Sequence, residues 1–113
     1  LTLPNGLTVL VETLPELQST AYALLVPAGS AYDPPDQGGT ASTLCDWITR
    51  GAGTRDSRAI SCELDRLGID HNTTINVSHL SLTGSCLPEH LADALGLVGD
   101  FARCPRLDDD EFE

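Results

Sequence analysis

Apolar and polar residues alternate along this chain with two different periods, and each period predicts an element. Asn5-Gly6 is a strong two-residue hairpin signal, and it stands between Thr2-Leu3 and the run Leu7-Thr8-Val9-Leu10-Val11. That run is apolar and β-branched, so it predicts a strand. Residues 20–28 predict a second strand, with Pro27 marking an edge or an exit because it has no N–H to donate to a ladder. Residues 33–39 are dense in turn formers and predict a loop. Ala41, Leu44, Cys45 and Ile48 then recur at i, i+3, i+4 and i+7, the buried stripe of a helix that Gly51 and Gly53 should end. A second helix is predicted over residues 57–67. Ile60, Leu64 and Leu67 form its inner face, Arg66 sits in its last turn and Gly68 just past its end.

Residues 72–86 give the longest strand candidate. Ile75 and Val77 alternate with Asn76 and Ser78, but Leu80 and Leu82 take the opposite parity. A simple strand cannot change faces, so the pattern predicts a bulge or sharp twist near His79. A third helix should run over residues 88–103, with Pro88 and Glu89 suited to its start and Pro105 as its stop. Its expected stripe is Leu91, Leu95, Val98 and Ala102. The predicted order is β-β-α-α-β-α, an α+β fold with helices packed on one face of a mostly antiparallel sheet.

The 113 residues suit one small domain, and a hydrophobic content of 41% supports a packed core. The formal net charge is −11, from 17 acidic residues against 6 basic ones, all arginine. Such a field repels phosphate backbones, and no basic stripe overrides it, so nucleic acid is excluded as an expected partner. No apolar run has the length of a membrane helix. The cysteines at 45, 62, 86 and 104 lack the close spacing of a zinc ribbon or redox dithiol, which predicts four reduced, packed thiols in a reducing compartment. The absence of methionine and the acidic run 108–113, which reads as the first turn of a helix, suggest an excerpt rather than a complete protein.

Several stretches, taken in order, resemble the pitrilysin family of zinc metallopeptidases, which includes the mitochondrial processing peptidases. They are Leu3-Pro4-Asn5-Gly6-Leu7-Thr8-Val9, Ala28-Gly29-Ser30 followed by Tyr32 and Asp33, Gly38-Gly39-Thr40-Ala41, Gly53-Thr54, and Leu67-Gly68 ahead of Asn72. The resemblance implies a helix carrying the inverted zinc motif H-x-x-E-H. In that motif the imidazoles at i and i+4 share a helical face and hold one zinc, while the glutamate takes a proton from the zinc-bound water. Here the aligned residues are Ser42-Thr43-Leu44-Cys45-Asp46, so a hydroxyl, a thiol and a carboxylate replace both histidines and the base. The third ligand of the family, a glutamate, would lie beyond residue 113.

The resemblance therefore implies a catalytically inactive peptidase-like subunit or half, with zinc expected only in an active partner. It also implies that substrate peptide adds as a strand to a sheet edge near Asn72, Thr73, Thr74 and Ile75. The expected partners are a homologous peptidase subunit or lobe and a peptide substrate, with no membrane and with self-association through open sheet edges. Two alternatives stay open: a purely structural, core-protein-like subunit, and a small Cys/His metal-binding module built on Cys45, Asp46 and one of His71, His79 or His90. The plain reading of the motif is that Ser42, Asp46 and Thr49 form the polar face of an ordinary helix. The plain reading of residues 72–75 is that they are ordinary strand residues.

Overall fold

The computed structural model describes residues 1–111. Its regular elements run β1 (Thr20–Val26), α1 (Thr40–Trp47), α2 (Ser57–Leu67), β2 (Asp70–Ile75), β3 (Leu80–Cys86) and α3 (Leu91–Arg103). The α+β class is as expected, but the order is β-α-α-β-β-α. Two strand expectations account for the change.

Residues 7–11 form no strand among the described residues. Thr2 and Thr8 make only an isolated bridge. The loop is also not the two-residue type: the turn spans residues 3–6, closed by the Gly6 N–H to the Leu3 carbonyl at 2.9 Å, with Gly6 at φ 88°. Pro4 sits inside that turn, where its missing N–H costs nothing. Leu10 and Val11 stay 89% and 85% exposed, because strand propensity without a partner strand gives no ladder.

The second difference lies at residues 76–79. They are not a bulge within one strand but the reversal between β2 and β3. The Asn76 N–H donates to the His79 carbonyl at 3.0 Å, and the Asn76 Oδ1 accepts from the N–H groups of Ser78 and His79 at 3.0 and 2.7 Å. The change of parity between Ile75 and Leu80 is the signature of that reversal, since the two are register partners on one face.

The sheet is antiparallel in the order β1-β3-β2. One face carries Tyr22, Leu24 and Val26, then Leu80, Leu82, Gly84 and Cys86, then His71, Thr73 and Ile75. All three helices contribute to the main core over this face, through Cys45, Ile48, Ile60, Leu97, Val98 and Phe101. A second cluster joins Leu67, Ile69, Cys86 and Ala94. The opposite face bears small and polar side chains such as Ala21, Ala23, Asn72, Thr74 and Ser81, and Leu25 there is 59% exposed.

The helices follow their sequence signals with three corrections. The stripes of α1 and α2 are as expected, with Ala41, Cys45, Ile48, Ile60 and Leu67 buried. Asp56 caps α2 by accepting from the Ala59 N–H at 2.8 Å, and Gly68 ends it in the left-handed conformation. The α1 helix stops at Trp47, a turn before Gly51. The buried stripe of α3 is Ala94, Leu97, Val98 and Phe101, while Leu95 is 48% exposed and Ala102 lies on the surface. Either stripe has helical spacing; the one containing Phe101, the largest fully buried side chain, removes more apolar area from water. The first turn, Pro88–His90, is 3-10 rather than α. At the far end Asp109–Glu111 is a 3-10 turn, and any helical continuation at Phe112 and Glu113 lies outside the described residues.

Two glycines set the packing around the sheet. A Cβ at Gly29 would lie 2.5 Å from the main chain of Asn76 and Val77, and the N–H groups of Ser30 and Ala31 donate to those two carbonyls. The turn 76–79 is therefore pinned to the segment after β1. Gly84, in the middle of β3, leaves the gap through which Tyr22 reaches across the sheet.

Candidate functional site

The α1 helix, which bears Ser42, Cys45 and Asp46, is fixed at its start by one carboxylate. Asp33 accepts from the Gly39 N–H at 2.9 Å and the Ala41 N–H at 2.8 Å, using both oxygens. These are free donors of the first turn, and a negative charge there also matches the helix dipole. The Tyr32-Asp33 pair of the family pattern thus has a structural job: Asp33 holds the loop 33–39 against α1, while Tyr32 is 66% exposed.

The three motif positions do not converge. Ser42 and Asp46 are one turn apart on an exposed face of α1. Cys45 points inward and is 7% exposed within the main core. Burial, with a smaller contribution from the nearby Asp46 carboxylate, pushes the Cys45 thiol above its ordinary value. A raised pKa keeps it as a neutral thiol at neutral pH rather than a nucleophilic thiolate, and its place in the core turns it away from the face that bears Ser42 and Asp46. The donors available to a zinc ion are thus one hydroxyl and one exposed carboxylate, which do not fit the metal.

His71, His79 and His90 are dispersed over β2, the turn 76–79 and the 3-10 turn before α3. Among the described residues no three His, Cys, Asp or Glu side chains come together. The Ser78 hydroxyl lies 2.7 Å from the His79 Nδ1, but the pair is exposed and, among the described residues, no carboxylate orients the imidazole. It therefore lacks the third member of a nucleophile triad.

A cleft of about 420 Å³ opens beside α1, lined by Thr40, Thr43, Leu44 and Trp47 together with Gln37 and Leu107. Positions 40, 43, 44 and 47 form a different stripe of the helix from Ser42 and Asp46. The Trp47 Nε1 donates to the Asp108 carbonyl at 3.1 Å, which closes one end of the cleft.

The second predicted site is on β2, an edge strand among the described residues. The antiparallel ladder alternates the direction of its main-chain groups. The Asn76 N–H points to β3, and the Thr83 hydroxyl reaches the Asn72 carbonyl at 3.4 Å. The main-chain groups of Asn72 and Thr74 therefore face β3, while those of His71, Thr73 and Ile75 face the open edge. Of the four predicted residues, Thr73 and Ile75 offer the edge their backbone, and Asn72 and Thr74 present exposed side chains on the outer face. His71 belongs with the edge residues, which sequence reasoning missed; its alternation with Thr73 and Ile75 was the available signal.

The thiol expectation holds in part. All four cysteines are free; Cys45 and Cys86 are buried, whereas Cys62 and Cys104 are exposed rather than packed.

A three-stranded antiparallel sheet with helices on one face, an α1 entered through Gly39-Thr40-Ala41, and an edge strand following Leu67-Gly68 are compatible with a fragment of a zinc-peptidase type of lobe. The chain belongs to the insulinase family, peptidase family M16, whose sequence pattern matches residues 8–113. It is 30% identical over 101 residues to an uncharacterized zinc protease of Rickettsia bellii, covering 89% of this chain and 24% of that protein. It is 27% identical over 111 residues to the mitochondrial-processing peptidase subunit beta of Saccharomyces cerevisiae, covering 98% of this chain and 24% of the relative. The uncharacterized zinc protease YmxG of Bacillus subtilis is 25% identical over 112 residues, 99% of this chain and 27% of that protein. The chain thus spans about a quarter of the length of these relatives.

Proposed function

We propose that this chain is part of a non-catalytic peptidase-like lobe that binds extended peptide along β2 and assembles with an active, homologous lobe or subunit. The observation that carries this reading is the state of α1. The scaffold around the helix is intact, with Asp33 capping its start and Ala41, Cys45 and Ile48 anchoring it in the core. The positions that should bear the imidazoles carry a serine and an aspartate, and the base position carries a buried thiol. Without a metal-binding pair there is no Lewis acid and no activated water at this helix.

The open edge of β2 supports the peptide-binding half of the proposal. Main-chain groups at an unpaired edge accept an added strand, and side chains on alternate positions select it. A formal charge of −11 favours basic peptides by long-range attraction.

The test is to purify the full-length protein alone and with a homologue that carries an intact zinc motif, then follow peptide cleavage and peptide binding. The proposal expects no cleavage that depends on Ser42 or Asp46, cleavage where an active homologous lobe or subunit is present, and measurable peptide affinity. Chelator-sensitive cleavage by the isolated protein that is lost in Asp46→Asn would refute the non-catalytic reading. An assembled pair that forms without peptide affinity would favour a purely structural subunit instead.

A further inference from the structure

A half-buried histidine on β2 has no part in the reading of α1. The His71 ring lies on the core face of the sheet, with its centroid 5.3 Å from that of Phe101 on α3. Its Nδ1 is 3.4 Å from the Tyr22 hydroxyl, two strands away on β1. Its Nε2 is 3.1 Å from the Thr73 hydroxyl, two residues along β2. Tyr22, Gly84 and His71 are in register across all three strands. The contact exists only because position 84 has no side chain: a Cβ there would meet the Tyr22 hydroxyl at 2.4 Å and the Asp70 carbonyl at 2.5 Å.

We propose that Tyr22, His71 and Thr73 form a proton-sensitive clamp that positions the open edge of β2. The inference deepens the peptide-binding reading and rests on it for its functional meaning. His71 and Thr73 are two of the three β2 residues whose main-chain groups face that edge. The clamp holds their side chains from the other direction. With Tyr22 donating to Nδ1, the neutral imidazole carries its hydrogen on Nε2 and donates it to Thr73. Protonation adds a donor at Nδ1, so the Tyr22 hydroxyl must turn from donor to acceptor, and it places a charge beside Phe101 on the core face of the sheet; the cost of holding that charge among apolar neighbours draws the ring toward water.

The surroundings set the direction. Burial lowers the His71 pKa below its ordinary value, and the neighbouring Asp70 carboxylate opposes this to a smaller extent. Within the network Tyr22 is raised by burial first and then by the neighbouring Cys86 and Asp70, and burial raises Cys86 as well, so both stay neutral at neutral pH and below. From α3 the contact is the uncharged Phe101. A histidine whose folded pKa is lowered favours the clamped state above the ordinary histidine value, and that preference is lost as pH falls through and below it.

The experiment uses the full-length protein and two independent readouts. Amide exchange at Asn72 and Thr74, corrected for intrinsic rate, reports whether β2 is held to β3. Binding of a fluorescein-labelled, arginine-rich extended peptide reports the edge itself. On going from about pH 7.5 to about pH 5.5, exchange at these amides should rise roughly threefold to tenfold, and peptide affinity should fall in parallel. His71→Leu, which fills the same apolar space, should flatten both profiles, and Tyr22→Phe should reduce the response without unfolding the sheet. Unchanged exchange in the wild type, or an equal response in His71→Leu, overturns the clamp. If the exchange response appears as expected but the peptide does not bind at any pH, the clamp stands and the peptide-edge reading alone fails.

Discussion

Gly84→Ala is the substitution that most directly probes how this sheet is assembled. The added methyl meets three obstacles at once: the Tyr22 hydroxyl at 2.4 Å, the Asp70 carbonyl oxygen at 2.5 Å and the Tyr22 Cζ at 2.6 Å. The tyrosine can swing, but the Asp70 carbonyl is main chain and belongs to β2, so relief requires β2 to move away from β3. Overpacking a well-filled site of this kind costs about 2 kcal/mol. Swinging Tyr22 away also removes its contact with His71, at 3.4 Å a weak hydrogen bond worth roughly 0.5 kcal/mol. For a domain of this size the melting temperature should drop by roughly 8–10 °C. Urea unfolding of the wild type, Gly84→Ala, Tyr22→Leu and the double variant measures the effect and its origin. Tyr22→Leu withdraws the hydroxyl from the gap, so the double variant should cost about 1 kcal/mol less than the sum of the singles. A Gly84→Ala protein within about 0.5 kcal/mol of wild type would refute the close packing of Tyr22 across β3.

Three further outcomes follow from the same structure. Asp33→Ala leaves the Gly39 and Ala41 N–H groups without their acceptor and should cost about 1–2 kcal/mol, read by chemical unfolding, with Asp33→Asn recovering part of it. Asn76→Ala removes the acceptor for the Ser78 and His79 N–H groups at the β2–β3 reversal and should cost about 1–2 kcal/mol, again by unfolding, with the loss concentrated in amide protection of β2. Maleimide labelling followed by mass spectrometry at neutral pH should modify Cys62 and Cys104 quickly and Cys45 and Cys86 slowly. The last two are buried with thiols raised in pKa, and fast labelling of Cys45 would contradict its place in the core.

The helices were legible in the sequence where the apolar stripe was narrow. In α1 and α2 only one helical phase collects the large apolar residues, so the buried face followed at once. In α3 nearly every position is apolar or small, periodicity alone left the phase open, and Phe101 decided it through its contacts with the sheet. The β2–β3 reversal was missed because Asn76-Val77-Ser78-His79 contains neither glycine nor proline. The signal was the Asn76 side chain two residues before Ser78, which makes the turn by accepting main-chain N–H groups. Residues 7–11 show the opposite failure: their composition suits a strand, but pairing is a property of a partner, and none of the described strands supplies one. At the candidate site, the proposal that Ser42, Cys45 and Asp46 stand in place of the zinc motif rests on the sequence pattern. The turning of Cys45 into the core, and the joining of His71 to Tyr22 through the gap at Gly84, depend on contacts between distant strands and helices that no local pattern encodes.

The account turns on whether the face of α1 that bears Ser42 and Asp46 can hold a metal ion. Zinc content measured by mass spectrometry on the full-length protein, after equilibration with zinc and gel filtration, is the direct test when run beside Ser42→Ala and Asp46→Asn. The account predicts that the two variants carry the same zinc as the wild type to within about a tenth of an equivalent. A stoichiometric ion that is present in the wild type and lost in either variant would contradict it.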